Sequence, residues 1–324
     1  MSDQLSRRDV IRLAAAAGAM PLAWRALPIR ADESAASGST VQTDQLSTYL
    51  QGGQALLRWN NVVVAAYRAN PTQKFPYFSE LAGPVSGLPL TTESSEPHPH
   101  HRGVWLGCEP LCGGDYWKDG PLDEGQIRSL GLSVKKATPI SAELHNRCQW
   151  VRRGAASPFT EDRRIQFTVL NDRVRVIDFE AELTAWCDIR IDKAKHSFFA
   201  IRVAPDLAPA GGGTLMNSAK GIGETGTYGK EATWCGYHGR RALRPDVIEG
   251  VALMDHPQNP WAPCPWFTRD YGHLSPSPFN FLDRPWEIKE GDLLRLRYRV
   301  VLHAGDPQEA QLDQIYKDWI ATAG

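Results

Sequence analysis

The chain has 324 residues, 42% of them hydrophobic, with 36 basic and 37 acidic residues and a formal net charge of −1. That length buries the core of one large domain or of two small ones. Balanced charge leaves no electrostatic footprint for nucleic acid or for an anionic membrane, which excludes polyanion binding as the main role.

At the N-terminus, Ser6-Arg7-Arg8-Asp9-Val10-Ile11 places paired arginines ahead of an alanine-rich apolar run over residues 10–23, interrupted by Arg12. A bilayer-crossing helix needs about 20 apolar residues, and this run is shorter and only mildly apolar. Twin arginine before such a run predicts a twin-arginine export signal over residues 1–31, with cleavage near Ala31 and a periplasmic or secreted destination. The competing reading is an amphipathic helix at the start of a cytosolic protein. No other segment reads as a membrane span. Residues 32–45, polar and rich in Ser, Ala and Thr, read as a flexible spacer, and a single folded domain is expected over 46–324.

Period-two alternation dominates that domain. Ile165, Phe167 and Val169 alternate with Arg164, Gln166 and Thr168, and Asn171-Asp172 supplies a turn. The chain returns through Val174 and Val176, after which the apolar phase shifts to Ile177, Phe179, Ala181 and Leu183. Such a shift predicts a β-bulge in the second strand of a hairpin. Further strands are expected around 54–68, 127–135, 141–151, 196–204 and 249–255. Near the end, Leu294, Leu296, Tyr298, Val300 and Leu302 alternate with Arg295, Arg297 and Arg299, one side buried and one wet. Only the C-terminus reads as helical: Asp306 caps, Pro307 suits the first turn, Glu309 completes a capping box, and Leu312, Ile315, Tyr316 and Trp319 form an apolar stripe. The fold class expected is all-β, an antiparallel β-sandwich with a C-terminal helix.

Chemistry-bearing residues concentrate in four loop-like segments. The first runs from His98-Pro99-His100-His101-Arg102-Gly103-Val104-Trp105 to Asp115-Tyr116-Trp117. In an extended strand His98 and His100 share a face, which offers two imidazoles to one divalent metal, with His196 or His256 as a third ligand. The same histidines are acid–base groups near neutral pH, and a polar turn satisfying backbone groups is the plainer alternative. The second segment is Lys195-His196-Ser197-Phe198-Phe199, where a lone His is as readily structural. The third, Gly221-Ile222-Gly223-Glu224-Thr225-Gly226, could display Glu224 to a ligand but lacks the context of a phosphate loop. The fourth joins Asp255-His256-Pro257-Gln258-Asn259-Pro260 to Trp266 and Arg269-Asp270-Tyr271-Gly272.

Eleven tryptophans are many for this length. Trp105, Trp117 and Trp266 stand beside polar forks, an arrangement that suits a sugar, whose C–H faces stack while its hydroxyls take directed hydrogen bonds. Six cysteines, at 108, 112, 148, 187, 235 and 264, include no CxxC pair, and their pairing is not readable.

These loops, together with Pro76-Tyr77, Gly83-Pro84 and Pro278-Phe279-Asn280, resemble the PmoA-like family of exported bacterial proteins, from about residue 50 to the end. The family's inherited label, a methane oxygenase subunit, belongs to a membrane complex, whereas no segment beyond the N-terminal run here is apolar enough to cross a bilayer. The resemblance implies a β-sandwich, of which a galactose-mutarotase-like super-sandwich is one form, and a place in bacterial sugar catabolism. The family pattern carries a further His and a Val-Asn-Gly stretch where this chain has Cys108-Glu109-Pro110-Leu111-Cys112-Gly113. A group supplied by that His would here be absent, or come from Cys108 or Glu109.

Three functions follow from the residues. The first is a carbohydrate-active enzyme of glycosidase, lyase or epimerase type. In it His100, His101, Glu224, Asp255 and His256 serve as acid–base groups, and Arg102, Trp105, Asp115, Trp117, His196, Asn259, Trp266, Arg269 and Tyr271 hold the sugar. The second is a metalloprotein on His98, His100 and His196, and the third a non-catalytic glycan-binding module. The partner expected in either sugar reading is a carbohydrate, and the cofactor, if any, a divalent metal.

Overall fold

The computed structural model describes residues 45–322, so the export signal and nearly all of the spacer lie outside the described residues. The chain opens with β1 (Leu46–Gln51), β2 (Gln54–Trp59), β3 (Val62–Arg68), β4 (Tyr77–Leu81) and β5 (Val104–Glu109). Four long strands follow: β6 (Gln126–Ala137), β7 (Ser141–Val151), β8 (Phe159–Asn171) and β9 (Val174–Ala185). Next come β10 (Ile189–Ile191), β11 (His196–Arg202), β12 (Thr214–Asn217), a short α1 (Gly223–Thr227), β13 (Trp234–Arg241) and β14 (Arg244–Asp255). The last elements are β15 (Trp266–Arg269), β16 (His273–Pro276), α2 (Pro278–Phe281), β17 (Trp286–Ile288), β18 (Leu293–Ala304) and α3 (Leu312–Thr322).

The strands pair antiparallel into two eight-stranded sheets. The first has the order β1-β2-β3-β4-β5-β11-β16-β15, the second β12-β13-β14-β18-β9-β8-β7-β6, and β10 with β17 forms a small ribbon. The sheets face each other through alternating residues: Phe199 of β11 packs on Phe179 of β9 at 4.8 Å and stacks on Tyr298 of β18 at 4.6 Å, ring centre to ring centre. One buried charge pair also bridges the layers. Arg163 of β8 is held by Glu161 and donates to Tyr67 Oη of β3 at 3.2 Å and to Pro76 O at 3.1 Å. An all-β antiparallel sandwich with a C-terminal helix is what the alternation predicts.

Two local expectations come out differently. The bulge in the β8–β9 hairpin lies between Val169 and Asn171 of the first strand, and pairing through Val176 and Ile177 of the second is continuous. The phase shift has another cause. Val174 and Val176 turn outward and pack with Ala252, Met254 and Val301 under Leu312 and Trp319 of α3, while Ile177 and Phe179 enter the core between the sheets. A strand covered on both faces shows both phases. At the C-terminus, Asp306 Oδ1 accepts from the N–H groups of Gln308 and Glu309, and Glu309 Oε2 accepts from Asp306 N at 3.3 Å, the expected reciprocal cap. It closes a separate turn, because Gln311 takes a left-handed φ of 55° and α3 starts only at Leu312.

Candidate active site

The register of the first sheet builds the floor of the site. His196 pairs with Glu109 and Ala200 with Trp105 across β11 and β5, Arg202 pairs with His273 of β16, and His273 with Arg269 of β15. Side chains two apart share a face. Glu109, Trp105, His196, Arg202, His273 and Arg269 therefore project from the face opposite Phe199, away from the second sheet.

The histidine loop folds over this floor. It is not an extended strand: His98 N donates to Ser95 O at 3.1 Å and His101 N to His98 O at 3.0 Å, so consecutive turns gather all three imidazoles. Ring centres lie 5.6 Å apart for His98 and His100, 5.0 Å for His98 and His101, and 4.6 Å for His100 and His101. One ring nitrogen from each falls within 4.8 Å of the other two. Below them His101 stacks on His273 at 4.6 Å, and beside them His98 lies 4.9 Å from Tyr271. The chain leaves the loop through Gly103, where a Cβ would sit 1.8 Å from Ser79 O. Only glycine allows that approach.

A carboxylate–imidazole dyad completes the cluster. Glu109 Oε2 lies 2.7 Å from His196 Nδ1, and Lys118 Nζ lies 2.9 Å from Glu109 Oε1. Trp117 stacks under His196 at 5.5 Å. On the opposite side Arg202 lies over the Tyr271 ring at 4.5 Å, and its Nη2 donates to Glu96 O at 3.0 Å. Glu224 of α1 takes Arg269 Nη1 at 2.8 Å, while the Arg269 guanidinium rests 4.2 Å from Phe267 and 4.7 Å from Tyr228.

Burial sets the protonation states. Desolvation, followed by neighbouring imidazoles, lowers His100 to about 4. Desolvation also depresses His98 and His196, and it drives His101 and His273 far below the usual imidazole range. Burial would raise Glu109, but Lys118 and His196 outweigh it and hold the carboxyl low. Desolvation raises Tyr271, which keeps its proton. At neutral pH the cluster thus holds five uncharged imidazoles, an ionised Glu109 and a protonated phenol.

His100, His101, His196, Glu224, Arg269 and Tyr271 of the expected residues come together here, with His98. Asp255, His256 and Asn259 do not. They close the end of β14 in the second sheet, where Asn259 Nδ2 donates to Asp255 Oδ1 at 2.6 Å and to Arg297 O at 2.9 Å, and His256 lies 4.9 Å from Trp319 of α3. These three brace a turn and the helix, so His256 cannot complete a metal site with His98 and His100. Arg102 reaches the edge of the site, but its fork is engaged: Nη1 donates to Ser94 Oγ and Pro99 O, and Nη2 to both carboxylate oxygens of Asp119. Asp115 accepts from Trp117 N at 2.8 Å and Lys118 N at 2.9 Å and so shapes the opposing loop.

The tryptophan platform is also revised. Trp105 is 1% exposed and Trp117 and Trp266 are fully covered, so none offers a face to a sugar; Tyr271 and Tyr228 are half-buried rings beside the cluster. Sequence reasoning missed His273 and Arg202. His273 pairs with Arg269 across the turn through Gly272, and that turn is the signal the sequence carried. Arg202 is placed by strand pairing, which leaves no local mark.

Looser likenesses exist among solved structures. A GalM/aldose epimerase homologue from C. elegans superposes with a TM-score of 0.32 at 7% identity, covering 81% of this chain and 99% of that one. A galactose mutarotase related enzyme from Lactobacillus acidophilus gives 0.32 at 7% identity, covering 80% and 97%. A polysaccharide lyase gives 0.32 at 12% identity over 75% of this chain and 32% of that one. Superpositions this loose add nothing to the sandwich that the strand pairing itself defines. No curated protein matches the chain. The sequence model of one family matches residues 48–317, and the chain belongs to that family, described as a family of unknown function, DUF6807.

Proposed function

We propose that this protein is a carbohydrate-active enzyme of the lyase or epimerase type, which removes a proton from a sugar carbon and delivers one to the other face of that carbon or to the departing oxygen. The observation that carries the reading is the Glu109–His196 dyad on the sheet face that also carries further neutral imidazoles, with the Tyr271 phenol packed on His98. Glu109 fixes Nδ1 of His196 as the protonated nitrogen, which leaves Nε2 as the base. Tyr271, held beside Arg202, is the proton donor on the other side. Arg202 Nε, Trp105 Nε1, Trp117 Nε1 and His273 Nδ1 are buried without a protein partner among the described residues, and polar atoms in that state bond water or ligand.

A two-carboxylate glycosidase fits less well. That chemistry needs one carboxyl kept protonated near neutral pH. Glu109 is held low, and Asp255, which desolvation pushes up to about 7, stands in the second sheet. Flat aromatic stacking, the strength of a pure binding module, is also weak where the tryptophans are covered. The twin-arginine sequence supports a periplasmic setting for this chemistry.

Solvent-exchange NMR tests the proposal. Neutral, keto- and uronic sugars, free and glycosidically linked, are incubated with the protein in D2O. Deuterium at a substrate carbon, or a cleaved product carrying a new carbon–carbon double bond, each lost in His196→Ala, is the expected result. Cleavage to a saturated product without carbon deuteration would point to a glycosidase, and no reaction or binding with any class would overturn the sugar reading.

A further inference from the structure

We infer that His98, His100 and His101 form a binding site for one transition-metal ion of the zinc or copper type. The site goes beyond the proton-transfer reading and does not depend on it. Its basis is the turn described above, which places one ring nitrogen from each histidine within 4.8 Å of the other two. Zinc–imidazole bonds of about 2.0–2.1 Å set tetrahedral ligand atoms about 3.4 Å apart, so small ring rotations close the triangle. His98 and His100 are half-buried and His101 is buried, so the three nitrogens approach an ion from the protein side and leave its outer positions open. Sites with three protein ligands and open positions are the catalytic kind.

The donor set selects the ion. All three ligands are imidazole nitrogens, which suit zinc, copper, nickel and iron, whereas magnesium and calcium take oxygens. Arg202 Nη1 lies 3.5 Å from His101 Nδ1, a marginal hydrogen bond that steadies the ring. The ligand set also differs from the one the sequence suggests. Among the described residues the ring nitrogens that converge are those of His98, His100 and His101, so His101, which an extended strand would have turned away, stands where His196 was expected.

The test is equilibrium dialysis of the untagged, folded chain against micromolar Zn(II) or Cu(II), followed by elemental analysis. About one equivalent of Zn(II) or Cu(II) should be retained, with no retention of Mg(II) or Ca(II). His98→Ala and His100→Ala, both at half-buried positions, should each weaken retention by at least about tenfold, while His196→Ala retains it. Circular dichroism of each variant separates ligand loss from misfolding, and nitrogen hyperfine splitting in the Cu(II) spectrum reports the imidazoles directly. Retention below about a tenth of an equivalent, or retention lost in His196→Ala and kept in both loop variants, would overturn the assignment. No sugar enters this assay, so its failure leaves the proton-transfer reading standing, and failure of the sugar reading leaves the metal site standing.

Discussion

Replacing Arg102 with alanine separates two roles for that residue. As a substrate ligand it would matter only when sugar is bound. In the structure it clasps the histidine loop: Nη1 donates to Ser94 Oγ at 2.7 Å and Pro99 O at 2.6 Å, and Nη2 to Asp119 at 2.8 and 3.0 Å. The Arg102 side chain is 18% exposed and that of Asp119 46% exposed, so the ion pair is discounted to the surface value of about 0.2–1 kcal/mol. The two bonds within the loop are exposed as well and contribute about 0.5–1 kcal/mol each. The clasp therefore amounts to about 1–3 kcal/mol, or a change of about 5- to 150-fold in the opening equilibrium of the loop. Native-state hydrogen exchange reads this quantity without any substrate. The amides of Ser94, His98 and His101, bonded to His101 O, Ser95 O and His98 O, should exchange faster by that factor in Arg102→Ala. Amides of the β8–β9 hairpin should not change. Arg102→Lys should restore little, since an ammonium cannot span both partners. Exchange at the three loop amides within about threefold of wild type would refute the clasp and return Arg102 to the substrate.

Other outcomes follow from the same geometry. His196→Ala should lower turnover by about 10²- to 10⁴-fold, the usual contribution of a positioned acid–base group, and a loss below about tenfold would remove His196 from the chemistry. Asp255→Asn should leave turnover unchanged and flatten one limb of the stability profile. Desolvation raises Asp255 to about 7 in the fold, so the folded state binds the extra proton and stability falls as pH rises from about 4 to about 7. Urea titrations of wild type and variant across that window should diverge, the variant being the more stable at the upper end; parallel curves would contradict the burial. The Cys112 and Cys187 thiols share a hydrogen bond and are half-buried, whereas Cys108, Cys148, Cys235 and Cys264 are buried. Mild oxidation should yield a single Cys112–Cys187 crosslink in a peptide map, and any other pairing would be against the structure.

The fold was legible because alternation in strands is a local signal. Arg295, Arg297 and Arg299 against Leu294, Leu296 and Tyr298 need no partner to be read as a half-buried strand. The shift at Val176 and Ile177 misled, because a helix far along the chain covers the outer face and makes both phases apolar. The site was half legible for the same reason. His98, His100 and His101 are neighbours in sequence, yet their convergence comes from two turns rather than from the face-sharing of a strand. The segment around Asp255 looked equally rich in chemistry, but β14 carries it into the other sheet. Arg202 and His273 reach the cluster through pairing between distant strands, and composition gives no sign of that. Trp105 and Trp117 read as platforms since exposure cannot be inferred from residue type, and in the folded chain the loops cover them.

The central claim is that five imidazoles share one partly dry cluster and stay uncharged. Proton–carbon NMR of histidine-labelled protein, titrated with pH and assigned by single substitutions, measures this directly. His98, His100, His101, His196 and His273 should all remain neutral below the ordinary imidazole value of 6.5, with His100 protonating near about 4. If two or more of them gain their proton at or above that ordinary value, as solvated and separate side chains do, the cluster does not exist as described.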